Sequence, residues 1–137
     1  SFVTHDESLR YYLKRPDPKS DLEQIVKKGH ELGLFITVYI IIGLPGQSFD
    51  EVKKSIDYLL DLNVLVGPSV FYIPAASELY DKLSLDNTVR ENWNLYRSSA
   101  FTVETKHLNR SQLVELFSYT REQNLLRKTE RKHESRH

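Results

Sequence analysis

The chain contains no cysteine among its 137 residues. This absence excludes disulfide bonds, thiolate metal sites and any iron–sulfur cluster that the chain would hold through its own cysteines. Methionine is also absent, even at position 1, where a natural open reading frame begins. We therefore expect the chain to be a fragment of a longer protein.

The chain also has no net charge. The 19 basic side chains equal the 19 acidic ones in number, so no net field favours nucleic acid or an anionic membrane as a partner. The longest apolar run, residues 34–44, is too short to span a bilayer. No secretion signal is visible at the start, and we expect a cytoplasmic protein. Apolar residues make up 39% of the chain and charged residues 28%, which predicts an ordinary globular domain.

The clearest element of the sequence is a β-strand over residues 34–42, where β-branched and aromatic residues dominate. Its even positions are all aliphatic, whereas its odd positions include the hydroxyls of Thr37 and Tyr39. Both faces are mostly apolar, which predicts a strand buried on two sides in a parallel sheet. We expect the aliphatic face to pack on helices and the other face to point at a ligand or a barrel interior.

A βαβ unit follows from the next elements. The turn 43–46 ends the strand, and Ser48 with Glu51 forms a capping box that opens a helix. A second strand is predicted over residues 65–73, with Gly67-Pro68 at or before its start. Short connections of this kind require parallel strands and a right-handed crossover. Two strands alone do not make a stable sheet, so we expect the sheet to continue in a missing half, from the same gene or from a partner chain.

The flanking elements are predicted to be helical. A second capping box, Ser20 with Glu23, is predicted to open a helix that ends at Gly33. The other predicted helices cover residues 6–15, 77–83 and 111–126, and the charged segment 127–137 is predicted to be a frayed tail.

The turn after the first strand is the candidate ligand site. Ligands of α/β folds bind at the carboxyl ends of parallel strands, and Gly43 and Gly46 permit close backbone approach there. The turn has neither the Walker A pattern nor a Gly-x-Gly-x-x-Gly pattern. The residues alone leave open an ordinary strand-to-helix loop whose glycines serve only its geometry.

The segment from Tyr39 to Glu51, Tyr-Ile-Ile-Ile-Gly-Leu-Pro-Gly-Gln-Ser-Phe-Asp-Glu, resembles the fifth strand and helix of radical S-adenosylmethionine (SAM) enzymes. The cobalamin-binding and coproporphyrinogen-oxidase-like groups carry a Gly-Leu-Pro-Gly-Glu/Gln turn at this place. Pro74-Ala-Ala-Ser-Glu-Leu-Tyr80 is similar to the family's segment after the sixth strand. The resemblance covers residues 1–83 and implies an α/β fold: the C-terminal portion of a partial (β/α)6 TIM-like barrel with parallel strands. A helical C-terminal extension over residues 84–126 would follow.

The resemblance also implies a cofactor site. The family's adenine-binding pattern, Gly-x-Ile-x-Gly-x-x-Glu, falls on Tyr39, Ile41, Gly43 and Gly46. Tyr39 stands where the family has Gly, and Gly46 stands where it has Glu, with Gln47 beside it. Ile41 would touch the adenine and Gly43 would admit the backbone close to it. The cofactor-binding residues expected are Tyr39, Ile41, Gly43, Pro45, Gly46 and Gln47.

The cofactors implied by the resemblance are SAM and a [4Fe–4S] cluster. The family's Cys-x-x-x-Cys-x-x-Cys loop would lie upstream of Ser1, so the cluster ligands are absent from this chain. The parent protein would cleave SAM reductively to a 5′-deoxyadenosyl radical, acting on an unidentified substrate, and the chain alone would be inactive. Two alternatives stay open: a non-enzymatic binding or scaffold module, and an α/β enzyme that binds a phosphate ligand at the Gly43 turn. No catalytic or metal-ligating residue and no nucleic-acid partner are predicted.

Overall fold

The computed structural model of the chain describes residues 2–14, 19–74, 77, 80 and 87–134. Two strands form a parallel sheet, and helices precede, join and follow them. The elements are helices α1 (Glu7–Tyr12), α2 (Lys19–Glu31), α3 (Phe49–Asp61), α4 (Asn87–Glu91) and α5 (Arg110–Glu134), strands β1 (Thr37–Ile42) and β2 (Leu65–Val70), and a 3₁₀ turn (Trp93–Leu95).

The sheet is parallel, as the βαβ pattern predicts. Thr37 pairs with Leu65 at one end of the two strands, and Ile42 pairs with Val70 at the other. Phe2 forms a one-residue parallel bridge to the opposite edge of β1. Its N–H donates to the carbonyl of Tyr39 at 2.8 Å. Three parallel segments therefore lie side by side, in the order Phe2, β1, β2.

The core lies between the aliphatic face of β1 and the helices. Ile40 and Ile42 are fully buried and Val38 is buried, which confirms for β1 itself that the even positions pack on helices. Burying one such side chain stabilises a fold by roughly 1.5–3 kcal/mol. The buried cluster around them comes from α2, α3, β2 and α5 and from the residues just before β2 and α5. It comprises Val26, Val52, Ile56, Leu59, Leu60, Val64, Val66, Val70, Leu108, Leu113 and Leu116 together with Val38. The prediction is wrong for Leu34, which precedes β1 and is 57% exposed.

The opposite face of β1 departs from the prediction of burial on two sides. Tyr39 is 62% exposed, Thr37 is exposed and Ile41 is only half-buried. The prediction is wrong for this chain because α2, α3 and α5 all contribute to the core on one side of the sheet. On the other side of the sheet, Thr37 and Tyr39 are exposed.

Pro68 lies in the middle of β2, opposite Ile40, so the prediction that Gly67-Pro68 lies at or before the start of the strand is wrong. The hydrogen-bond directions explain why the strand accepts a proline. The N–H of Leu65 donates to the carbonyl of Ile36, just before β1, and that of Phe71 donates to the carbonyl of Ile42. The N–H groups of Val66 and Val70 point to the outer edge instead. By this alternation the N–H that Pro68 lacks belongs to the outer edge, where no ladder hydrogen bond is lost.

The outer edge of β2 is covered by side-chain and loop groups. The amide of Asn124, on α5, accepts from the N–H of Val66 at 2.9 Å and donates to its carbonyl at 2.6 Å. Further along, the N–H of Val70 donates to the carbonyl of Ser98 at 2.9 Å. Asn124 thus satisfies both backbone groups of Val66, as a residue of a neighbouring strand would do.

Several helix boundaries differ from the sequence predictions. Ser48 is the N-cap of α3 and accepts from the N–H of Glu51, as predicted. The Glu51 side chain accepts from Thr4 and Ser55 instead of closing the predicted capping box. Ser20 lies inside α2, which begins at Lys19, so the second predicted capping box is wrong. Helix α1 is shorter than predicted and is capped by Asp6. Helix α5 continues to Glu134, so the predicted frayed tail is wrong over residues 127–134.

The predicted helix 77–83 and the question of a membrane span can be followed only over the residues that the structure describes. Of the predicted helix 77–83, only Ser77 and Tyr80 are described, and the N–H of Tyr80 donates to the Ser77 carbonyl at 2.9 Å. The rest of that prediction lies outside the described residues. Among the helices that the structure describes, none is long and apolar enough to cross a membrane.

Tyr58 joins α3 to α2. Its hydroxyl donates to Glu23 at 2.8 Å. Burial, followed by the hydrogen bond to Glu23, raises the pKa of Tyr58 from 10.0 to about 12. Because the folded-state pKa exceeds the unfolded one, this contribution to stability is fully present below pH 10 and is lost as the pH rises through about 12.

The substitution Asn124→Asp tests the edge contact with an isosteric change. The introduced carboxylate would still accept from Val66 N–H but would face the Val66 carbonyl without a proton to donate. We expect the free energy of unfolding to fall by about 1–3 kcal/mol. Urea unfolding at pH 7 measures this loss, with Gln123→Glu on the same helix as the control. Equal effects of the two substitutions would contradict the assigned role of Asn124.

Replacing Tyr58 by Phe tests the alkaline titration. Between pH 10 and about pH 12 the free energy of unfolding should fall less steeply for Tyr58→Phe than for the unmodified chain, because the variant lacks this ionisable group. Urea unfolding at half-unit pH steps gives both slopes, and the other tyrosines are common to the two proteins. Parallel curves for the two proteins would show that Tyr58 carries no such linkage.

Candidate functional site

Three chain segments meet at the carboxyl edge of the sheet, where ligands of parallel α/β proteins bind. Residues 3–6 follow the Phe2 bridge, residues 43–48 follow β1, and residues 71–74 follow β2. The open face of the sheet leads up to this edge and carries Tyr39 and then Ile41. The structure therefore brings the predicted cofactor-binding residues together, on one face and in the turn that ends it.

The side chain of Gln47 fixes the conformation of the turn through hydrogen bonds. The side chain is fully buried, and its Oε1 accepts from the N–H groups of Gly43 at 2.8 Å and Leu44 at 2.9 Å. Its Nε2 donates to the carbonyls of Val3 at 3.2 Å and Ile41 at 3.4 Å. Both acceptor sites and both donors of the amide are in use. Gln47 therefore organises the turn and offers no free hydrogen-bonding group to a ligand.

The two glycines of the turn are both in left-handed backbone conformations. Gly43 and Gly46 each have φ of 90°. A Cβ on Gly43 would lie 3.1 Å from Leu113 Cδ2, and one on Gly46 would lie 3.1 Å from Leu9 Cδ1. Backbone geometry and packing within the chain thus account for both residues. This is the interpretation of the glycines that the sequence pattern left open.

The open face of the sheet, which carries Tyr39 and Ile41, offers a ligand more accessible surface than the turn does. The ring of Tyr39 lies over Gly67 of the neighbouring strand, where a Cβ would be 2.6 Å from Tyr39 Cδ1. Ile41 is half-buried on the same face, one step closer to the carboxyl edge. Pro45, in the turn that follows β1, is half-buried. The open face therefore presents an aromatic and an aliphatic side chain next to the turn, and apolar side chains of this kind line the sites of weakly polar ligands.

Anion binding at the turn has less support than the sequence suggested. The N–H groups of Gly43 and Leu44 are taken by Gln47. At the start of α3, the N–H of Glu51 donates to the side chain of Ser48 at 3.3 Å. A phosphate would have to compete with these contacts for its donors.

A buried polar network behind the site was not foreseen from the sequence. The hydroxyl of Thr4 donates to Glu51 Oε1, and Ser55 donates to the same oxygen at 2.8 Å. The N–H of His5 donates to Ser55 Oγ at 2.7 Å. Thr4 and Ser55 are both fully buried. The network fastens residues 4–5 to α3, and its only sequence signal is Ser55 on the otherwise apolar side of that helix.

Within the described part of the chain, no group of three His, Asp or Glu side chains is placed to hold a metal ion. No protein-family model matches this chain, and no characterised protein sequence matches it significantly. The geometry of the open face, the turn and the sheet edges therefore carries the evidence for a function.

Replacing Gln47 by Ala should lower the free energy of unfolding by about 2–4 kcal/mol, because it removes four hydrogen bonds and leaves buried backbone groups without partners. Urea unfolding measures the loss, and hydrogen exchange of the Gly43 and Leu44 amides should accelerate with it. Gln24→Ala, at an exposed position of α2, is the control. A Gln47→Ala variant as stable as this control would refute the organising role.

Proposed function

We propose that this chain is the C-terminal part of a radical SAM enzyme barrel and that its open face positions SAM. The observation that carries the proposal is the one-sided coverage of a parallel sheet. Helices bury Val38, Ile40 and Ile42 on one side, whereas Tyr39 and Ile41 are left open on the other.

The physical argument concerns parallel sheets in general. Such sheets occur almost only with both faces covered, either by helices on each side or by closure into a barrel whose interior is filled. A face that carries Tyr39 and Ile41 up to the carboxyl edge of the sheet is the kind of surface that lines a barrel interior. A partial (β/α)6 barrel places this face inward and the helices outward.

The two edges of the sheet support the same arrangement. On the β2 side, Asn124 and Ser98 occupy outward-pointing backbone groups. On the other side, no described strand pairs with the outer edge of the Phe2 segment. Further strands would therefore join beyond Phe2, and β2 would be the last strand of the barrel. The N-terminal half that the proposal requires, from the same gene or a partner chain, would supply those strands.

Of the two cofactors that the proposal involves, the residues of this chain could hold SAM but not the [4Fe–4S] cluster. A [4Fe–4S] cluster does not fit on these residues, because the chain has no cysteine, and it would be held by the other half. The adenine of SAM fits the apolar surface of Tyr39 and Ile41 beside the Gly43 turn. When bound to such a cluster, SAM supplies the 5′-deoxyadenosyl radical. This chain would bind and orient the adenosine, and Gln47 would keep the turn in shape.

The test uses the native protein that contains this chain, purified anaerobically and reconstituted. We expect about four irons per polypeptide and release of 5′-deoxyadenosine from SAM under reducing conditions. The chain 1–137 alone should release none. Absence of iron from the native protein would favour a binding or scaffold module, and phosphate-ligand binding with no response to SAM would favour the phosphate alternative.

A substitution on the open face tests whether this part of the native protein binds SAM. Ile41→Glu should raise the dissociation constant for SAM about tenfold or more, because a carboxylate would replace the apolar contact with the adenine. Ile25→Glu, at an exposed position of α2, is the matched control. Equal SAM affinity in the two variants would remove Ile41 from the site.

A further inference from the structure

Ser69 brings a small hydroxyl side chain to the open face of the sheet. In the parallel ladder Ser69 pairs with Ile41, just as Gly67 pairs with Tyr39. Residues that pair across the ladder, and residues two apart in one strand, share a face. Ser69 is half-buried, whereas its neighbour Val70, on the opposite face, is buried in the core. Ser69 therefore lies beside Ile41, toward the carboxyl edge of the open face.

The side chains next to Ser69 on this face are larger than serine. The ring of Tyr39 lies over Gly67, where a Cβ would be 2.6 Å from Cδ1 of that ring. The branched side chain of Ile41 stands across the ladder from Ser69. Serine reaches less far from the sheet than either of these two neighbours. The open face thus combines apolar side chains with one small polar group, the composition by which ligand sites hold a ring and fix its orientation.

The hydroxyl of Ser69 forms no hydrogen bond with any residue that the structure describes. The other polar groups of the site are engaged. Gln47 uses all of its hydrogen-bonding positions and occupies the N–H groups of Gly43 and Leu44. The threonine hydroxyl of the open face, that of Thr37, lies at the opposite end of β1. Ser69 therefore offers a hydrogen-bonding group that a ligand can use without displacing a described contact of the fold.

We propose that Ser69 determines which rings the open face accepts, through a hydrogen bond between its hydroxyl and the polar edge of a ring that packs on Ile41. The inference rests on the proposed function, in which that ring is the adenine of SAM. A hydroxyl both donates and accepts, so it can bind a ring nitrogen or the amino group of adenine. A ring without hydrogen-bonding atoms at its edge gains only the apolar contact and leaves the hydroxyl covered without a partner, which disfavours its binding.

Substitution of Ser69 tests the inference in the native protein that contains this chain, purified anaerobically and reconstituted. Ser69→Ala removes the oxygen alone and should raise the dissociation constant for SAM about tenfold, as expected for the loss of one hydrogen bond. The same factor is expected for adenosine, measured by competition with SAM, and no change is expected for methionine. Thr37→Val, which removes an exposed hydroxyl from the far end of the same face, is the matched control and should leave the affinity for SAM unchanged.

Urea unfolding of the same variants separates a ligand contact from a structural role. Ser69→Ala and the unmodified protein should unfold at the same urea concentration, and a clear loss of stability would assign the hydroxyl to the fold and overturn the inference. Unchanged affinity for SAM in Ser69→Ala would also overturn it and leave the proposed function standing, whereas a native protein that binds no SAM would overturn both. Weaker binding of SAM without equally weaker binding of adenosine would place the hydroxyl away from the ring and contradict the assignment.

Discussion

The side-chain amide of Gln47 is the contact on which the geometry of the site depends. Its oxygen accepts from the N–H groups of Gly43 and Leu44 in the turn. Its nitrogen donates to the carbonyls of Ile41, in β1, and Val3, in the N-terminal segment. The turn, the strand and the N-terminal segment are thus fixed relative to one another by four hydrogen bonds from one residue. Because the amide is fully buried, water cannot replace these bonds, and any loss leaves polar groups without partners.

Local sequence patterns predicted the βαβ frame because they act over short distances. The alternation along β1, the Ser48 cap and the apolar spacing of α3 each involve neighbours in the chain, and they determined the parallel pair and the face that packs on helices. The failures arose from tertiary contacts. Whether Pro68 could sit inside a strand depended on which edge its missing N–H faced. The end of α5 differs for a local reason: its charged composition predicts fraying, but arginine, lysine and glutamate are good helix formers.

In the candidate site, too, the features set by neighbours in the chain were predicted and those set by tertiary contacts were not. Sequence reasoning placed Tyr39, Ile41 and the turn at the end of one strand, and their common location follows from the period of a strand. It could not show that Gln47 points inward, because an amide beside a glycine turn carries no mark of burial. It also could not foresee the network of Thr4, Glu51 and Ser55, or the burial of Arg10. These features depend on contacts between residues about fifty apart, or on the way α1 docks.

The covered edge of β2 has a consequence for self-association. An exposed strand edge can pair with a strand of another molecule and so begin aggregation. Along β2, Pro68 lacks a donor and Asn124 occupies both backbone groups of Val66. This edge therefore cannot act as a template for a second chain, and any growth of the sheet by intermolecular strand pairing is directed to the side on which Phe2 lies.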